Sequence, residues 1–195
     1  MKVYVDSPLT VQITDIFKLH PECYDAETRG LMRSHDSPFD FPEVSYVDDV
    51  ESSKAITAER GPAIVISASG MCEAGRILHH LKGGIEDERN TILIVGYQAQ
   101  HTLGRRLVEG RPRVKIFGVE RERRADVVVL NGFSGHADQR DLLNYAKGTA
   151  ARGQLDAIAL VHGEPKAQKV LAELLAAQGL RNVAIPATGD RLEIA

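Results

Sequence analysis

Two histidines stand where an imidazole could do chemistry. His136 lies in Asn131-Gly132-Phe133-Ser134-Gly135-His136-Ala137-Asp138, which follows the apolar run Val127–Leu130 and leads into a helical pattern. His162 ends the run Leu155–Val161 and is followed at once by Gly163 and Glu164. An imidazole on a strand-to-helix loop can reach a substrate and exchange a proton near neutral pH. A neutral one at a strand terminus can ligate a metal. The plainer reading of a strand-end histidine is a hydrogen-bonded structural residue. A serine nucleophile is not supported, because the elbow Gly-x-Ser-x-Gly would need glycine where His136 stands. His20, His35, His79, His80 and His101 show no ligand spacing, and His-Glu-x-x-His is absent. The two cysteines, Cys23 and Cys72, form no Cys-x-x-Cys pair. A thiolate zinc site is therefore unsupported, and reduced thiols in the cytoplasm are the expectation.

Two further loops offer anion chemistry. Ser67-Ala68-Ser69-Gly70-Met71-Cys72-Glu73-Ala74-Gly75-Arg76 joins an apolar run to a helical segment. Backbone N–H groups at a helix start bind anions, and glycine lets a phosphate approach the backbone. Ser67, Ser69, Gly70 and Arg76 are the candidate donors. The glycine spacing imitates half of a Walker A loop, but Arg76-Ile77 replaces the Lys-Ser/Thr that motif needs, so a nucleotide P-loop is rejected. A tight turn that needs glycine for geometry is the alternative. In Gly96-Tyr97-Gln98-Ala99-Gln100-His101-Thr102-Leu103-Gly104-Arg105-Arg106, Tyr97 offers a stacking face and Arg105 and Arg106 offer phosphate donors. A loop with solvated arginines is the bland alternative. Residues 105–124 hold eight Lys or Arg against Glu109, Glu120 and Glu122, one basic stretch that could follow a phosphate backbone or be a solvated face.

These loops need elements to hold them. Short apolar runs alternate with helical patterns: strands are predicted at Val3–Val5, Val44–Val47, Ala63–Ser67, Thr91–Val95, Val114–Phe117, Val127–Leu130, Leu155–Val161 and Val183–Ile185. Helices are predicted at Leu9–Leu19, Val50–Ala58, Glu73–Lys82, Thr102–Val108, Asp138–Lys147 and Lys166–Gln178. Residues 21–42 read as polar turns. Apolar runs buried on both faces predict an α/β fold with a mostly parallel sheet flanked by helices. Ligand sites in such sheets favour the C-terminal strand edge, where all four loops fall. A soft boundary is expected near residues 118–126.

The chain has 195 residues, 43% hydrophobic and 26% charged, in the range of soluble globular domains. No apolar run approaches the roughly 20 residues of a membrane span. Met1–Leu9, interrupted by Asp6 and Pro8, does not read as a signal peptide. A net charge of −3 gives no global attraction to nucleic acid, so any such binding must be local.

Taken in order, VYVDSPL (Val3–Leu9), SASGM with EAGR (Ser67–Met71, Glu73–Arg76), GYQA with TLGRRL (Gly96–Ala99, Thr102–Leu107), FSGHAD (Phe133–Asp138) and VHGE (Val161–Glu164) resemble the β-CASP family of metallo-β-lactamase-fold nucleases. The resemblance spans essentially the whole chain. It implies that residues 1–125 are most of a β-CASP α/β domain. Residues 126–195 would be the returning C-terminal segment of the lactamase fold. It also implies RNA as partner and, in the intact family enzyme, two zinc ions that activate a water against the phosphodiester. His136 matches the family's histidine beside the scissile phosphate, which protonates the leaving oxygen or steadies its charge. His162 matches a zinc ligand. Ser134 joins the expected phosphate contacts. The family's His-x-His-x-Asp-His motif is absent, and so is the acidic residue that orients the β-CASP histidine. The chain is therefore expected to lack an N-terminal lactamase half, to bind zinc weakly or not at all, and to cleave nothing alone. Its unpaired lactamase segment is expected to favour self-association, a homodimer included. A non-catalytic RNA-binding scaffold and a phosphate- or nucleotide-binding α/β domain are the competing readings.

Overall fold

The computed structural model describes residues 1–33, 37–59, 61–133, 135–153 and 155–192. The chain divides into two compact units, residues 1–134 and 135–195.

In the first unit, β1 (Lys2–Asp6) is the centre of a parallel sheet between β2 (Val44–Val47) and β3 (Ala63–Ser67). The register pairs Val5 with Tyr46 on one side and with Ile66 on the other. α1 (Pro8–Leu19) begins where the sequence signals a helix, with Ser7 accepting from the Thr10 N–H and proline in the first turn. α3 (Val50–Ala58) is capped by Asp49, which accepts from the Ser52 N–H. Between α1 and β2 lies α2 (Ala26–Arg33), in the stretch that reads as polar turns.

The rest of the unit surrounds β4 (Thr91–Ile94), which pairs in parallel with β7 (Asp126–Val129), Leu93 opposite Val128. α4 (Ile77–Gly84) and α5 (Leu103–Val108) pack near it, together with the hairpin of β5 (Arg113–Ile116) and β6 (Val119–Glu122). The turn is Phe117-Gly118, both with positive φ, which matches the two-residue hairpin connection whose twist suits the flanking strands. The charged stretch expected as a soft boundary is thus strand β6. The core is Cys72, Leu81, Ile85, Ile94, Leu103, Leu107, Val114 and Ile116. Ile85, Leu107 and Ile116 are essentially sealed, each contributing about 1.5–3 kcal/mol of burial.

β1 is buried on both faces at its end, where the consecutive residues Val5 and Asp6 are both covered, but β3, β4 and β7 are not. Ile92, Ile94 and Val127 belong to the core or pack against it, while Leu93 and Val128, pointing the other way, are about half exposed. Ile64 and Ile66 of β3 are likewise exposed. β4 and β7 therefore carry one core face and one open apolar face.

The second unit contains α6 (Gln139–Arg152), α7 (Pro165–Ala177) and a short parallel pair, β8 (Ile158–Ala159) with β9 (Val183–Ala184). Asp138 and Asp141 form a reciprocal capping box at the start of α6. Ala146 and Leu175 are its buried apolar residues among those described. No helix of the described residues is long and apolar enough to cross a membrane.

Candidate functional site

In the first unit the strand ends are tied together by one buried carboxylate. Asp6, the last residue of β1, has no exposed surface. Its Oδ2 accepts from Ser53 Oγ of α3 at 2.6 Å and lies 2.6 Å from His80 Nε2 of α4. Its Oδ1 accepts from Arg76 Nη1 at 2.5 Å. Burial pushes the Asp6 pKa up, but the hydrogen bonds from Ser53, His80 and Arg76, with the Arg76 charge, outweigh it. The carboxyl is held below the usual carboxylate range. Arg76 also donates to the carbonyls of Val47 and Asp48, so its guanidinium is engaged within the fold. Ser67 donates from Oγ to the Asp6 carbonyl at 2.9 Å.

The loop from Ser67 to Arg76 is an irregular turn rather than the first turns of a helix, and α4 starts only at Ile77. Gly75 explains the delay. Its φ is +82°, and a Cβ there would lie 2.4 Å from the Ala68 carbonyl oxygen. Ser69 folds back on the loop, its N–H donating to Ala74 O and its Oγ accepting from Ala74 N. Gly70 is exposed, with open space where a side chain would stand.

The loop after β4 is stitched to this one. Gln98, almost fully buried, donates from Nε2 to Gly70 O at 2.9 Å and to Gly96 O at 3.2 Å. Gly104 N donates to Met71 O at 3.0 Å, and Leu103 N donates to the Glu73 carboxylate. Gln98 Oε1 has no hydrogen-bond partner and lies 1.7 Å from where a Cβ on residue 104 would be. Only glycine lets the amide close against α5. Thr102 caps that helix, accepting from Arg105 N at 3.1 Å. Tyr97 is 58% exposed. Arg105 pairs with Glu109, and Arg106 donates to His101 O and sits 3.6 Å from Glu73. Sequence reasoning gave Asp6, Ser53, His80, Glu73 and Gln98 no role. Asp6, Glu73 and Gln98 all stood inside segments that carry the family resemblance, and Asp6 also ends a β-branched run.

The basic stretch is largely neutralised. Arg111 pairs with Glu109, Arg113 with Glu120, Arg121 with Glu86 and Arg124 with Glu122, while Arg123 donates to the carbonyls of Arg111 and Ala125.

In the second unit, His136 is exposed on the segment leading into α6. His162 is exposed after β8, in a left-handed conformation followed by Gly163, also at positive φ. Gln168 Nε2 holds this turn through Leu160 O and His162 O at 3.0 and 2.8 Å. Ser134 lies outside the described residues. Among the described residues no three His, Cys, Asp or Glu side chains come together to hold a metal, whereas zinc needs three or four ligands. An open cleft of about 490 Å³ lies instead at the N-terminal edge of the first sheet, beside Lys2, Tyr4 and Glu59.

Two family profiles match the chain. The Beta-Casp domain covers residues 1–107, and the Zn-dependent metallo-hydrolase RNA specificity domain covers residues 120–186. Ribonuclease TTHA0252 from Thermus thermophilus is 37% identical over 177 residues, covering 91% of this chain and 40% of that protein. Transcription termination factor FttA from Methanosarcina mazei is 32% identical over 171 residues, and that from Pyrococcus abyssi 32% over 172, covering 85% and 84% of this chain. The chain spans about two fifths of the first relative's length and a quarter of the others'. With one profile on more than half the residues and a second following it in order, the chain belongs to the β-CASP family of metallo-β-lactamase-fold RNA nucleases.

Proposed function

We propose that the chain works as part of a zinc-dependent ribonuclease that hydrolyses RNA phosphodiester bonds, and that on its own it contacts RNA without cleaving it. The observation that carries this reading is the exposed placement of His136 and His162 on strand-to-helix connections within a chain matched by both profiles. His136 is the residue that would protonate or steady the leaving oxygen. His162 would supply one zinc ligand. The residues present do not fit a complete zinc centre, since no cluster of three ligands forms among those described.

In the first unit, Gly70 and Ser69 would meet phosphate, Tyr97 would stack on a base, and Arg105 and Arg106 would add charge at the same loop. Ser67 and Arg76, hydrogen-bonded around Asp6, would hold the loop's shape. The exposed Leu93 and Val128 support the expected tendency to self-associate.

The test is cleavage of labelled RNA with added zinc or manganese. The chain alone should not cleave. A chimera carrying it in place of the matched stretch of the Thermus thermophilus ribonuclease should cleave, and His136→Ala in the chimera should lower the rate by about 10² or more. Robust, His162-dependent cleavage by the chain alone would refute the single-ligand reading. A chimera indifferent to His136→Ala would refute the role of that histidine.

A further inference from the structure

The tip of the β5–β6 hairpin carries features that the loops above do not absorb. Its turn places Phe117 at φ +50°, a left-handed conformation that a bulky aromatic adopts at a cost and that asparagine or glycine adopts freely. The ring remains half exposed, at 53%, as does Val119 on the other side of the turn at 56%. It rests instead against His79 of α4, with ring centroids 4.9 Å apart and planes tilted by 48°. Two exposed lysines flank this ring pair: Lys115, two residues before Phe117, and Lys82, three residues after His79 on the same helix face. Neither lysine has an ion-pair partner among the described residues, whereas Glu120, Glu86 and Glu122 near the hairpin are each paired with an arginine. Residues 108–119, which include this tip, lie between the stretches matched by the two profiles.

We propose that Phe117 and His79 form a stacking platform for an unpaired base of single-stranded RNA, with Lys82 and Lys115 meeting the flanking phosphates. Exposed rings accept the π-face of any base, and adjacent cations neutralise the backbone that accompanies it. Inside a duplex every base face is covered by its neighbours, leaving only the end pairs open, so an RNA duplex gains little from the rings. The proposal rests on the reading that this chain contacts RNA, and adds a contact away from the two motif loops.

Fluorescence anisotropy with the full chain tests it, using a labelled single-stranded oligouridylate and an RNA duplex long enough that its two end pairs are a small share of its bases. Phe117→Asn removes the ring but keeps a residue suited to the turn, so the thermal midpoint should be unchanged or higher. Single-stranded affinity should fall about tenfold with Phe117→Asn and severalfold with His79→Ala, while duplex affinity stays put. Unchanged affinity in Phe117→Asn, with a loss in Tyr97→Ala, would overturn the platform while leaving RNA contact by the chain standing. A wild-type chain that binds neither probe would overturn both. Unchanged RNA affinity with weakened self-association on sedimentation would make the tip a protein contact and overturn the proposal.

Discussion

Replacing Asp6 by asparagine probes the joint that ties the strand ends together. The side chain keeps its size, but the charge goes and one acceptor becomes a donor. Ser53, His80 and Arg76 all direct hydrogen bonds at this carboxylate, so at least one of them would then face an N–H group. Arg76 would also lose its counter-charge while only 15% of its side chain is exposed. Removing one partner of a buried ion pair costs about 3–5 kcal/mol. Asparagine retains one acceptor oxygen, so the lower end, about 3 kcal/mol, is expected. In a domain of this size that corresponds to a fall in Tm of about 6–12 °C. Urea unfolding at pH 7 measures it directly.

The pH dependence gives a second reading of the same joint. The folded Asp6 pKa is depressed, so its contribution is complete above the unfolded value of about 3.9 and disappears as pH falls from there through the folded value. The gap between wild type and Asp6→Asn should therefore be constant around neutrality and close in acid. A variant within 1 kcal/mol of wild type at pH 7, on the scale set by the buried pair, would refute the argument. So would a gap that stays open well below the unfolded pKa.

Gly104→Ala should destabilise the first unit by about 1–3 kcal/mol, because the new methyl overlaps Gln98 Oε1. Gln98→Ala in the same chain clears that space, so urea unfolding of the double variant should depart from additivity by at least about 0.5 kcal/mol. Strict additivity would mean that the two residues do not press on each other. Cys72 is buried, and burial with the nearby Glu73 charge lifts its thiol pKa to about 11. Timed alkylation with iodoacetamide at neutral pH, read by peptide mass, should label the exposed Cys23 and spare Cys72 until the fold is opened with denaturant. Equal labelling in the native state would contradict that burial.

The elements most legible in the sequence were those whose apolar pattern is local. Ala63–Ser67 is a strand as read, and Thr91–Val95 differs by one residue at its end. α2 escaped because Ala26–Arg33 has few apolar residues and an internal glycine, and none of its side chains is buried to betray a face. β6 escaped for a related reason: Val-Glu-Arg-Glu pairs with β5 at an exposed hairpin, where alternation of charge replaces alternation of hydrophobicity. The start of α4 was placed four residues early because Glu73–Arg76 are good helix formers on average. The left-handed Gly75, backed against Ala68, overrides that propensity through a contact no local window contains.

The site was legible by position more than by role, and the reason is chemical. Residues that grip a phosphate and residues that grip a loop are the same types, because a backbone carbonyl and a phosphate oxygen both want a hydroxyl, amide or guanidinium donor. Ser67 and Arg76 follow a strand at the edge where ligands bind, which made them candidates, and the fold directs both toward Asp6 instead. The deciding partners are far away in sequence: Asp6 is 70 residues from Arg76, and Glu86 is 35 from Arg121. A run of arginines therefore says little about surface potential until the carboxylates that fold onto it are known. What survives such pairing is more informative, and here that is Lys82 and Lys115 beside Phe117. Both lysines stay exposed in the folded chain. A side chain left outside those networks keeps its hydrogen-bonding or stacking capacity for a ligand, which is why exposure after folding discriminates between the two uses better than residue type does.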